Sequence, residues 1–128
     1  MTSALNNTPQ LSPDDTRGAD FSEDQATIVL RISGRLDTLG SLVLDCKLAE
    51  LLNEGLRQAI LDMEKVPVMG SRAIEALTRH AESLYVRGGQ MHLCHLTDLV
   101  AEAVELADLG PLLAIHESVD EAVDESRR

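Results

Sequence analysis

The sequence predicts an α/β sandwich with a four- to five-stranded, mostly parallel sheet and about four helices. Short apolar runs of strand length alternate along the chain with longer stretches of helical period. Gly or Pro marks the junctions, at Gly34, Gly55, Pro67, Gly70, Gly88, Gly89, Gly110 and Pro111. Apolar residues make up 44% of the chain, with one Phe, one Tyr and no Trp, so the core is aliphatic. Strand–helix–strand order implies right-handed crossovers and parallel pairing, with the first strand as the antiparallel exception.

Residues 1–20 carry two prolines and no periodicity, which predicts a flexible acidic tail ahead of a single domain over 21–128. Phe21 is a weak candidate for the start of an edge strand. Ala26–Ser33 is β-branched and alternating, with Ile28, Leu30 and Ile32 on an apolar face and Thr27, Val29 and Arg31 on a partly wet one. Asp37 or Thr38 caps a helix running to about Asn53 and stopped by Gly55. Its buried stripe is read as Leu39, Leu42, Val43, Cys46 and Ala49, widened by Leu48, Leu51 and Leu52, with Asp45, Lys47, Glu50 and Glu54 in solvent.

Gln58–Met63 is the next strand, followed by the Pro67–Gly70 connection and a helix from about Ser71 to Val86. Ile74, Leu77, Ala81 and Leu84 face the core of that helix, while Glu75, Arg79, Glu82 and His80 face outward. Gln90–His95 is a third core strand, about Thr97–Ala107 a third helix, and Leu112–His116 a last short strand. Ser118-Val119-Asp120-Glu121 matches a capping box and opens an acidic C-terminal helix.

Net charge is −11, which argues against a nucleic-acid backbone or an anionic membrane as a partner. The excess sits mostly at the ends: five acids and one base over 1–25, five acids and two bases over 116–128. Cys46 and Cys94 lie in apolar patterns and read as reduced core residues rather than a disulfide framework. Without a secretory h-region or an apolar run of membrane length, the expectation is a cytoplasmic protein.

The residues themselves offer three candidate chemistries. A metal site could draw on His92, Cys94 and His95, with His80 or His116. Strand alternation puts His92 and Cys94 on one face and His95 on the other, so these do not converge, and no metal or cofactor is expected. A hydrolase could pair Ser71 with a histidine and Asp37. However, Val68-Met69-Gly70-Ser71-Arg72-Ala73 lacks a nucleophile elbow, and no phosphate-cradling glycine loop occurs. Asp37, Asp62 and Ser71 at strand ends could form a small site. Equally, Asp37 is a cap and Asp62 ends a strand, so the chain is not read as an enzyme. Ser71 itself reads locally as a helix N-cap.

Three segments stand in order along the chain: Val29-Leu30-Arg31-Ile32-Ser33-Gly34-Arg35-Leu36-Asp37, then Ala59-Ile60-Leu61-Asp62-Met63-Glu64-Lys65-Val66, then Gly88-Gly89-Gln90-Met91-His92-Leu93-Cys94 followed by Val104-Glu105-Leu106-Ala107-Asp108-Leu109-Gly110. Together they resemble a STAS domain of the anti-sigma factor antagonist type over about Ala26–Glu125. The resemblance implies a STAS-like sandwich and a partner that is both anti-sigma factor and serine kinase, of histidine-kinase-like ATPase fold. It implies Ser71 as phosphoacceptor, in the position of the first Ser of the family's Asp-Ser-Ser/Thr-Gly. Here Gly70, Arg72 and Ala73 replace the other three residues. The implied contact surface comprises Asp37, Thr38, Val68, Met69, Gly70, Arg72 and Glu75. Two alternatives stay open: a scaffold without a phosphorylation cycle, and a cytosolic accessory subunit of an ABC transporter.

Overall fold

The computed structural model describes residues 10–12 and 27–127. Strands β1 (Gln10–Ser12), β2 (Thr27–Ser33), β3 (Gln58–Lys65), β4 (Gln90–Cys94) and β5 (Leu113–His116) form one sheet in that spatial order. β2 to β5 run parallel and β1 is antiparallel to β2. Helices α1 (Thr38–Asn53), α2 (Ser71–Val86), α3 (Asp98–Ala107) and α4 (Val119–Ser126) fill the connections and the C-terminal end, with a 3₁₀ turn at Gly110–Leu112. The predicted α/β sandwich, its mostly parallel sheet and its four helices are all present.

Alternation along the strands creates two cores. Ile28, Leu30 and Ile32 of β2, with Leu61 and Met63 of β3 and Met91 and Leu93 of β4, face α1, α2 and α3. Val29, Ile60 and Cys94 face the other way, under Val119 and Ala122 of α4. On the second face of β2, Arg31 is exposed and Ser33 half-buried, while Thr27 and Val29 are buried, Val29 in one cluster with Val119 and Ala122 of α4.

β1 lies inside the segment expected to form a flexible tail. Gln10 pairs with Ser33, Leu11 with Ile32 and Ser12 with Arg31. Three residues are too short to show a period, and only the exposed edge of β2 selects them. Phe21 falls outside the described residues.

The helix stops follow their glycines. α1 and α2 both end in a Schellman motif. Gly55 N–H bonds to Leu52 O and Leu56 N–H to Leu51 O, while Gly88 N–H bonds to Tyr85 O and Gly89 N–H to Leu84 O. Gly55 and Gly88 have the positive φ, 104° and 83°, that the motif needs. Gly89 is required for space, since a Cβ there would lie 1.8 Å from the Arg57 carbonyl oxygen.

Of the stripe expected to bury α1, only the widening residues Leu48, Leu51 and Leu52 do so. The helix packs through Gly40, Ser41, Leu44, Leu48, Leu51 and Leu52, leaving Leu39, Leu42, Cys46 and Ala49 exposed and Val43 half-buried. Leucines on both sides of the helix make two stripes fit the period equally, and Gly40 and Ser41 let the start of the helix approach the sheet. Cys46 is thus a surface thiol and only Cys94 is a core residue. On α2 the expected stripe is buried at Leu77, Ala81 and Leu84, with Ile74 packed at its edge. His80 is buried too, against expectation, because Asp45 of α1 supplies it with a hydrogen-bond partner.

Candidate functional site: two loops zipped at the start of α2

The connections β2–α1 and β3–α2 leave the same end of the parallel sheet and are joined by backbone hydrogen bonds. Gly34 N–H bonds to Lys65 O at 3.0 Å, Leu36 N–H to Val68 O at 3.1 Å, and Gly70 N–H to Leu36 O at 2.9 Å. Leu36 and Met69 form an isolated parallel bridge, with Leu36 fully buried beneath it. This zip places Asp37 and Thr38, at the start of α1, beside Val68–Arg72. The residues singled out in the sequence therefore share one surface. Thr38, Gly70, Ser71, Arg72 and Glu75 are exposed, and Asp37, Val68 and Met69 are half-buried.

Local chemistry divides these residues. Asp37 is the N-cap of α1: its Oδ1 accepts from Gly40 N–H at 3.0 Å, and its carbonyl accepts from Ser41 Oγ at 2.6 Å. Ser71 does not cap α2. Gly70 holds the extended cap position (φ −88°, ψ 178°) with no side chain to offer, and Ser71 is the first helical residue. Ser71 is exposed at the helix start, beside the helix's unpaired N–H groups and the positive end of its dipole.

Between α1 and α2 lies a groove of about 410 Å³, lined by Leu39 and Leu42 on one wall and Arg72, Glu75 and Ala76 on the other. Asp45 spans its far end, accepting from His80 Nε2 and, at 3.2 Å, from Arg79. The His80 and then the Arg79 hydrogen bonds hold the Asp45 carboxyl below its ordinary pKa.

Of the histidines named as metal or catalytic candidates, His92 and His116 meet each other, while His80 and His95 go to Asp45 and Asp62. His92, 1% exposed, gives Nε2–H to Gln58 Oε1 at 2.8 Å, which leaves its Nδ1 to accept from His116 Nε2 at 3.0 Å. Burial, and then the charge of His116, lowers the His92 pKa to about 4. His95, at a left-handed φ of 56°, bonds through Nδ1 to buried Asp62 at 3.0 Å. Asp62, Glu64 and His95 bring ligand atoms within 4.8 Å of one another. Asp62 is already satisfied by His95 and the Glu64 N–H, with the Arg31 guanidinium 3.8 Å away. Burial and then the charge of Asp62 push the Cys94 thiol up to about 12, so it stays protonated. Among the described residues, the histidine–acid pairs are His80–Asp45 and His95–Asp62, and neither includes Ser71 or Asp37.

An alternating parallel sandwich with two zipped loops over an open helix start defines the class: an α/β domain that offers a shaped surface. The sequence pattern of the STAS domain matches residues 19–122, and the chain belongs to that family. No curated relative matches it by sequence. Its structure is similar to that of an anti-sigma factor antagonist from Mycobacterium paratuberculosis, with 16% identity, TM-score 0.78, and coverage of 95% of this chain and 97% of that one. It is also similar to the anti-sigma factor antagonist SpoIIAA of Bacillus in its unphosphorylated form, with 20% identity, TM-score 0.73, and coverage of 94% and 96%. A sulfate transporter family protein from Wolinella succinogenes shares the fold at 22% identity and TM-score 0.61, with coverage of 79% and 84%. Among the described residues, no helix is long and apolar enough to cross a membrane.

Proposed function

We propose that this chain is a non-enzymatic, cytoplasmic regulator of the anti-sigma factor antagonist type. It binds an anti-sigma factor that is also a serine kinase of histidine-kinase-like ATPase fold. The contact surface is Asp37, Thr38, Val68, Met69, Gly70, Arg72 and Glu75, and phosphorylation of Ser71 controls it. The observation that supports this reading is the exposed Ser71 at the first position of α2, beside the zipped loops. A phosphate there adds close to two negative charges in the middle of a docking surface. Arg72 and the helix start stabilise that phosphate locally, while a packed partner is repelled by it.

Gly70 and Arg72 depart from the family's acidic and hydroxyl residues, so kinase recognition is the step to test. The purified chain is mixed with the cognate kinase and MgATP, then followed by calorimetry and mass spectrometry. The expected result is a complex, one phosphate on Ser71, and weaker binding of the modified chain. A complex with phosphate elsewhere, or with none, removes the switch and leaves a scaffold. The sulfate transporter family neighbour supports a second reading, an accessory subunit of a transporter. Recovery of an ABC transporter subunit instead of a kinase in a native pull-down would establish that one.

A further inference from the structure

α1 turns an apolar stripe to solvent, beside exposed Thr38, Glu50 and Asn53, although the helix already buries another apolar face. Leu39 (49% exposed) and Leu42 (57%) are followed by exposed Cys46 and Ala49, a three–four–three spacing that runs down one side of a 16-residue helix. Such a stripe is the seam a second helix packs against. Its N-terminal half forms one wall of the groove beside Ser71, so it continues the surface described above. Charge along the groove is uneven. Arg79 is neutralised by Asp45, whereas Arg72, exposed at the opposite end, forms no ion pair among the described residues. Glu75 stands one turn further along α2 and completes the polar rim.

We infer that the exposed stripe of α1 seats an amphipathic helix of the partner kinase, with apolar side chains every three or four residues and a carboxylate where it passes Arg72. The inference rests on the proposed function and extends its contact surface from the helix start down to Cys46 and Ala49. Phosphorylation of Ser71 then acts at the charged end of this seam, placing a negative group where the partner's carboxylate meets Arg72.

Cys46 is the built-in reporter, since Cys94 is buried and protonated. The free chain should take one N-ethylmaleimide adduct, at Cys46. Saturation with the kinase should slow that reaction about ten-fold or more, as expected for a thiol inside a desolvated contact. Leu42→Glu should weaken binding about 30-fold, the scale of a central contact residue. Leu106→Glu, at a position 79% exposed on α3, should leave binding unchanged. A complex in which Cys46 reacts at its free rate and Leu42→Glu binds normally overturns the inference alone. Absence of any complex overturns the proposed function, and this partner with it. A thiol already unreactive in the free chain, or a wild-type dimer in sedimentation that Leu42→Glu dissolves, assigns the stripe to the chain itself and also overturns the inference.

Discussion

α1 and α2 are neighbours in one layer, each 16 residues long, and each ends in a Schellman motif, yet they relate to their sequences in different ways. α2 has one apolar side and one charged side, so its period identifies the buried face. α1 is apolar on two sides, and its period fits both. Here Leu44 and Leu48 meet the sheet while Leu39 and Leu42 meet water. The lesson is that a single clean stripe identifies the buried face, whereas two competing stripes leave the choice to the elements packed against the helix.

That contrast can be broken most sharply by paired truncations on α1. Leu44→Ala should cost about 3 kcal/mol in urea denaturation, the usual range for a fully buried leucine. Leu42→Ala should stay within about 0.5 kcal/mol, as for a surface site. Equal losses would mean that α1 packs on the stripe first read from the sequence.

Acid separates the helix layer from the opposite face of the sheet. The folded-state pKa of His92, about 4, lies below its ordinary value of 6.5. The unfolded chain therefore takes up a proton as pH falls below 6.5 while the folded chain does not. Stability is full above that pH and declines down to about pH 4, by up to about 3 kcal/mol. A His92→Gln variant should lose this slope in a pH series of denaturation curves. Asp45, in the helix layer, contributes in the other acid window. Its lowered pKa adds stability that is present above its ordinary value of 3.8 and is lost only as pH falls further.

Smaller effects test the contact between the helices and the open cap. Asp45→Asn should cost about 1–2 kcal/mol, because buried His80 loses its charged acceptor. Thermal melts read this directly. Gly70→Asp should raise stability by a few tenths of a kcal/mol, by supplying the missing cap. A Cβ at Gly70 meets only the Leu36 carbonyl at 3.6 Å and φ is −88°, so nothing opposes the change. The same variant restores the acid of the family motif and should speed Ser71 phosphorylation if the kinase reads it.

Much of the fold was legible because its signals are local. The glycine stops, the Ser118 cap, which accepts from Glu121 N–H at 3.2 Å, and the bounds of α2 all rest on residues within a few positions of each other. What escaped was set by distant partners. His80 is buried because of a carboxylate 35 residues earlier. Gln10–Ser12 becomes a strand only because β2 offers an edge. Ser71 loses its capping role to Gly70 because the Leu36–Met69 bridge holds Gly70 extended at the helix start. The grouping of Asp37 and Thr38 with Val68–Arg72 was readable, since both loops follow adjacent parallel strands.

The bridge between Leu36 and Met69 also bears on the speed and thermodynamics of recognition. On the proposed contact surface, two loops tied to each other over a buried leucine would meet a partner with one arrangement already held by backbone hydrogen bonds. Little conformational freedom remains to be lost at these positions, so association need not wait for a rearrangement. Differences in lifetime among complexes of this surface should then arise in dissociation. A substitution that opens the bridge should instead slow the on-rate while leaving the contacting side chains unchanged.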